Sequence, residues 1–356
     1  MIDFLVIGGG IAGVSAAARL SALGSVTLLE GEDALAYHTS GRSAAMFEQN
    51  YGKPSTIDLN KASRAFHEDA GILSPRGLML VGSADTATEF AADQKQMQLD
   101  SISMPDAKSM VPILDEATVD RAAYHSAAWD MDTDKLIQTF VRMARQNGAT
   151  VSTKLHVKAI TKTNAGWSVQ AGEQIFEASN LVNAAGAWVD EIATMAGVNP
   201  LGFTPLRRSM ARIPAPGGHD VSSWPMMFGP GEEWYAKADA GALIVSPAEE
   251  DLTTPHDAFA DDMVLAEGLA RYERIVTEPV TRMLSSWAGL RTFSRDRTLV
   301  LGPDVGDPSF IWCAGQGGYG MQSSPAASQL LADLVSGAQS DLPTDTIAAL
   351  SPQRFA

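Results

Sequence analysis

Cysteine is nearly absent: Cys313 is the only one in 356 residues, which rules out an internal disulfide and fits a reducing compartment. No stretch of about 18 apolar residues occurs, so no membrane-spanning segment is expected. Basic residues are in deficit, with 26 Lys and Arg against 42 Asp and Glu, for a formal charge of -16. Nucleic acid and anionic membrane are therefore disfavoured as partners, because both need a basic surface to displace counterions. There is no internal repeat and no low-complexity segment, and no metal is expected. The opening residues 1–7 lack a basic segment or cleavage site and run straight into a glycine turn, so no export signal is expected and a cytoplasmic location is.

What is present describes a globular chain, 45% hydrophobic and 19% charged, long enough for two domains that need not be sequential. An apolar run at residues 4–7 leads into Gly8-Gly9-Gly10, and apolar and alanine residues at helical spacing follow over 11–23. A second run at 26–29 ends in Glu30, completing a βαβ unit that predicts a parallel sheet. Helices are expected at 55–70, 132–146, 187–196, 262–276 and 321–335, and strands at 77–82, 181–184 and 310–314. Alternating runs at 151–155, 157–161 and 167–170 predict an antiparallel meander on the nucleotide domain. Between 203 and 245, strand-like segments rich in Trp, Tyr, Met and Phe predict a mostly antiparallel second sheet facing a substrate.

Gly8, Gly10 and Gly13 fit the Gly-x-Gly-x-x-Gly spacing, with Ile11 and Ala12 inside it. The first glycine permits the tight turn, the second lets backbone approach a pyrophosphate, and the third lets helix and strand pack closely. The helix N-terminus then offers free N–H groups to phosphate, and Glu30 is placed to accept from ribose hydroxyls. FAD and NAD share this pattern. Three further features favour the longer flavin cofactor: Thr39-Ser40-Gly41-Arg42-Ser43-Ala44-Ala45, the turn at Ala184-Ala185-Gly186 before Trp188, and Gly315 to Gly320 ahead of a helix. A covalent flavin link through Cys313 competes with a plain core thiol, the latter favoured by Ile311 and Trp312 beside it.

Taken together, Tyr37-His38 with Gly41 to Ala45, Ala62 to Phe66, Asn183 to Trp188, Trp287-Ala288-Gly289-Leu290-Arg291 and Gln316 to Gly320 resemble the FAD-dependent D-amino acid oxidase and dehydrogenase superfamily. That superfamily includes glycine and sarcosine oxidases, and the bacterial D-arginine dehydrogenases are the most similar branch. The resemblance runs through most of the chain. It implies noncovalent FAD on a Rossmann-like α/β domain, interleaved with a mostly antiparallel α+β substrate domain flanked by helices. The nucleotide domain would comprise residues 1–76, 140–202 and 286–356, and the substrate domain 77–139 and 203–285. Val157, Gly289, Gly317, Gly318, Tyr319 and Met321 join the expected cofactor contacts.

The resemblance also implies roles in the site. Arg291 would clamp a substrate carboxylate, a task that suits the two parallel donors of a guanidinium. Tyr235 and Arg208 would join the clamp, Tyr51 would sit on a mobile loop over the site, and the carbonyl of Gly318 would hold the amine. Two positions depart from the D-arginine branch: Leu78 replaces an acid that would pair with a substrate guanidinium, and Met46 replaces a histidine. Both favour a neutral or hydrophobic side chain, unless Glu48, Glu232 or Glu233 supplies the missing acid. The expected activity is oxidation of a D-amino acid to the imino acid by hydride transfer to flavin N5, with oxygen or a quinone-like electron acceptor. A secondary-amine oxidase acting on sarcosine or another N-methyl amino acid remains the alternative, as does a flavin-binding subunit without turnover. The oligomeric state is open.

Overall fold

The architecture, seen in a computed structural model that describes residues 1–356, is mixed α/β with three sheets. The eight-stranded sheet has the parallel strands Ile2–Ile7, Val26–Leu29 and Thr150–Ser152 on one side of its centre, and Gln174–Asn183 and Phe310–Ala314 on the other. Leu5, Val6, Leu28, Leu181 and Val182 are fully buried, as expected for strands covered on both faces. Helix Ile11–Leu20 covers one face and packs against Thr133–Gln146 and Gly320–Ser336. Its run of Ala16, Ala17 and Ala18 keeps those neighbours close.

The strand expected at 181–184 is longer, Gln174–Asn183, because it changes partner along its length. Its first half pairs antiparallel with Gly166–Ala171, and its second half runs parallel to Ile2–Ile7. The meander is thus Val157–Thr163, Gly166–Ala171 and the start of this strand. Thr150–Ser152, read as its first run, instead pairs parallel with Val26–Leu29.

The nine-stranded sheet is antiparallel except where Met226–Phe228 runs parallel to Leu78–Gly82. Its backbone is Thr204–Pro214, paired over nine positions with Ser285–Phe293, so the strand that carries Arg291 lies in this second sheet rather than with the nucleotide strands. Conversely, residues 133–139 belong to the helix that packs on Ile11–Leu20. A small three-stranded sheet, Met46–Phe47, Trp129–Met131 and Leu73–Pro75, bridges the two. The parallel strands Ile2–Ile7, Gln174–Asn183 and Phe310–Ala314 deliver their carboxyl ends to Gly8, Ala184 and Gly315, which opens a crevice where such sheets bind ligands. None of the helices is long and apolar enough to cross a membrane.

Candidate active site

The glycine turn after the first strand is shaped by contacts that tolerate no side chain. Gly8 has φ +107°, and a Cβ on it would stand 2.4 Å from the Ala184 carbonyl oxygen; one on Gly13 would stand 1.8 Å from that of Gly8. The Ile11 N–H donates to Ser40 Oγ at 2.9 Å, bringing the 39–43 segment over the helix N-terminus. Glu30 closes the turn from below: its carboxylate accepts from Gly9 N at 2.6 Å and Glu32 N at 2.9 Å.

From this turn a cleft of about 1550 Å³, open solvent at its mouth included, runs between the two large sheets. Among the expected cofactor contacts, Gly10, Ile11, Ala12, Arg42, Ser43, Ala44, Ala45, Ala184, Gly186, Gly289, Gly315, Gly317, Gly318, Gly320 and Met321 line it. Gly8, Gly13, Glu30, Gly41, Ala185, Trp188 and Tyr319 do not line it; Tyr319 packs on the lining residue Tyr51 at 5.2 Å, and Trp188 packs on His38 at 4.8 Å. Val157 does not line the cleft; its side chain is buried in the core among Leu29, Ile160 and Trp167.

Arg42 differs from expectation in its partners. Its guanidinium donates to the carbonyls of Tyr37, Ala258 and Ala288 and to Asp257 at 2.5 Å, so it ties the loop to the second sheet. Cys313 also lines the cleft, but burial pushes its thiol up to about 12, which leaves almost no thiolate for a covalent flavin bond at neutral pH.

Three buried donors in the wall have no protein partner: Thr292 Oγ1, Gln316 Nε2 and Gln322 Nε2. Thr292 and Gln322 were not singled out in the sequence, since a threonine in a strand and a glutamine in a helix's first turn look like any ordinary polar residue. Backbone comes close where a Cβ is forbidden: one on Gly317 would lie 2.3 Å from the Phe293 ring, and one on Gly318 would lie 2.9 Å from Arg291 Nη1. Unpaired buried donors cost about 1–3 kcal/mol each unless a ligand meets them, and with the glycine cradle they fit a long polar dinucleotide.

At the far end Arg291 and Arg208 stand on paired strands, with Arg208 opposite Gly289 and Arg291 opposite Leu206. Arg208 is 4% exposed; one terminal nitrogen reaches Glu250 at 3.3 Å, while its Nε has no partner. Glu250 is shared with Arg297 at 2.7 Å, so the positive charge here is incompletely matched. Burial, and then the adjacent Arg291, lower the Arg208 pKa. Burial also opposes the charge of Arg291, but Tyr51, Tyr235 and Glu232 beside it outweigh this and hold it above the usual range. The Tyr235 hydroxyl is buried without a partner. Tyr51 is pushed up by burial and by Glu232, stays protonated, and donates to Glu232 Oε2 at 3.0 Å.

Most of the remaining wall is apolar. Met46 and Leu78 face it as expected, joined by Met97, Met210, Met226 and Phe228, which were not singled out individually. Of the three acids considered, Glu48 and Glu232 line the cleft, whereas Glu233 is exposed outside it. Two sheets, a dinucleotide cradle and a buried cationic pocket in one cleft define a flavin-type oxidoreductase. The chain belongs to the FAD dependent oxidoreductase family (DAO), whose model matches residues 3–334.

Among relatives, the chain is 23% identical over 402 residues to FAD-dependent oxidoreductase domain-containing protein 1 of Xenopus laevis, covering 94% of this chain and 79% of that protein. It is 24% identical over 289 residues to N-methyl-L-tryptophan oxidase of Salmonella arizonae, covering 75% and 74%. The fold is shared with L-proline dehydrogenase from P. horikoshii, at a TM-score of 0.85 and 22% identity over 99% of this chain and 97% of the other.

Proposed function

We propose that the protein oxidises the amine of a D-amino acid with a neutral or hydrophobic side chain to the imino acid. The observation that carries this reading is the group Arg291, Arg208 and Tyr235, which presents cationic and orphaned donors to the same cleft as the glycine cradle. A carboxylate placed there would take two parallel bonds from Arg291, satisfy the Tyr235 hydroxyl, and offset the cationic charge near Arg208. The Gly318 backbone beside Arg291 would offer its carbonyl to the amine. With the carboxylate gripped, the side chain falls against Met46, Leu78, Met97 and Phe228.

The turns at Gly8–Gly13, Ala184–Gly186 and Gly315–Gly320 would hold FAD, which when bound would supply a two-electron acceptor for the hydride of the substrate's α-carbon. The chain's own part is to orient that carbon and exclude water. The amine reacts as the neutral form, whose lone pair stabilises the forming iminium. Its proton is lost to water or at binding, so no side-chain base is required. The imino acid leaves and hydrolyses to a 2-oxo acid and ammonia.

A second reading is supported by the relatives: N-methyl-L-tryptophan and L-proline, the substrates named for two of them, are both secondary amines. The same clamp would serve an N-methyl amino acid: hydride loss from the N-methyl carbon and hydrolysis of the resulting imine would release formaldehyde and the parent amino acid together. An anaerobic screen of flavin bleaching by D-, L- and N-methyl amino acids decides between the two. Fast bleaching by neutral D-amino acids with 2-oxo acid formation supports the first, and bleaching confined to N-methyl compounds replaces it. Admitting air afterwards reports whether oxygen or another acceptor takes the electrons.

A further inference from the structure

We propose that His125 is a specificity-determining residue that masks the charge of Glu48, and so makes the side-chain end of the cleft select neutral substrates; this rests on the amino-acid reading above. Glu48 lines the cleft yet is 3% exposed. It is held firmly: its N–H donates to Gln322 Oε1 at 3.0 Å, and its Oε1 accepts from Asn50 N at 2.9 Å. The remaining oxygen, Oε2, is covered from solvent, has no aligned hydrogen bond, and lies 3.0 Å from His125 Nε2.

His125 stands outside the cleft, directly across the strand pair from Leu78, the residue whose side chain faces it. No other Lys, Arg or His nitrogen lies within 4.0 Å of the Glu48 carboxylate, and as an imidazolium the ring balances that charge. The pair therefore presents a nearly neutral wall beside Met46 and Leu78. A buried carboxylate without that partner would be strongly unfavourable on its own, and a cation entering the cleft would relieve it, in competition with a proton. Removing His125 should thus turn the wall into a site for a basic side chain.

The test compares D-norleucine with D-lysine, which share a carbon chain and differ by one ammonium, using anaerobic flavin bleaching of the purified holoenzyme. The wild type is expected to favour D-norleucine. His125→Asn shifts the ratio of kcat/KM toward D-lysine by about tenfold or more, Glu48→Gln added to it cancels the shift, and His125→Lys keeps the original preference. General loss of packing would lower both rates and leave the ratio in place.

A wild type that prefers D-lysine, an unmoved ratio in His125→Asn, or a shift that survives Glu48→Gln overturns the proposal. Should His125→Asn fail to retain FAD, Glu48→Gln alone decides: an unchanged ratio supports masking, while specific loss of D-lysine turnover means Glu48 itself grips the cation and overturns it. If neither amino acid perturbs the wild-type flavin, the amino-acid reading falls and takes this proposal with it. A ratio that fails to move removes the proposal alone.

Discussion

Replacing Gly13 with alanine should empty the protein of FAD. A methyl at this position would sit 1.8 Å from the Gly8 carbonyl oxygen, about 1.2 Å inside the 3.0 Å below which real Cβ contacts essentially do not occur. Both sides of the clash are main chain, so no side chain can swing away. Gly8 is pinned by its N–H to the Leu29 carbonyl at 2.9 Å, and the helix is enclosed, with Val14, Ala16, Ala17 and Leu20 each at most 1% exposed. Backing the helix off costs about 1–3 kcal/mol in packing. The same displacement pulls the helix N-terminal N–H groups from the pyrophosphate seat, where each charge-assisted bond is worth about 1.5–3 kcal/mol. Loss of one or two such bonds weakens FAD binding by about 10- to 10⁴-fold. The ratio of flavin to protein absorbance after purification, and titration of apoprotein with FAD, measure it directly. A Gly13→Ala protein that carries a full complement of flavin at unchanged affinity would refute this placement of the pyrophosphate.

Other perturbations test separate parts of the site. Tyr235→Phe removes a buried hydroxyl that has no protein partner, so thermal stability should hold or rise while kcat/KM for carboxylate substrates falls about 10- to 100-fold. Stability and activity falling together would mean that the hydroxyl serves the fold. Native protein should resist iodoacetamide and react at one thiol in denaturant, since Cys313 is 2% exposed with its pKa near 12; acid precipitation should release all the flavin. His67 is fully buried, and burial holds its pKa down at about 4, against a bond from its Nε2 side to the Gln322 carbonyl at 2.9 Å. Because the unfolded state binds that proton first, His67 costs stability as pH falls from about 6.5 toward the folded value. His67→Gln should flatten that part of the melting-temperature profile, and an unchanged profile would count against a neutral buried ring.

The nucleotide half was legible because its chemistry is local. Gly8, Gly10, Gly13 and Glu30 lie within one βαβ unit, and the contacts that forbid side chains there follow from the spacing itself. The long strand Gln174–Asn183 was half hidden: only its buried end carries a continuous apolar run, while Ile175, 69% exposed, reads as a loop. The meeting of Arg291 with Arg208 came from resemblance, since nothing in the sequence of two strands about 80 residues apart fixes their register. Arg42 was read for its charge alone, and the carbonyls of Ala258 and Ala288 that occupy it belong to distant segments. Met210 and Met226 on the second sheet, and Met97 at the end of helix Ala87–Gln96, resemble ordinary core residues until the fold turns them onto one wall. Glu48 illustrates the same limit: His125, 3.0 Å from it, stands on the distant strand Arg121–His125, and sequence offers no sign of that pairing.

Arg291→Met under anaerobic single-turnover conditions probes whether Arg291 grips a carboxyl group beside FAD. The variant should be a yellow protein with wild-type FAD content, in which the amino-acid concentration for half-maximal bleaching rises by about 100-fold or more, the value of a charged bidentate contact. An unchanged half-saturating concentration, with flavin fully bound, would contradict it.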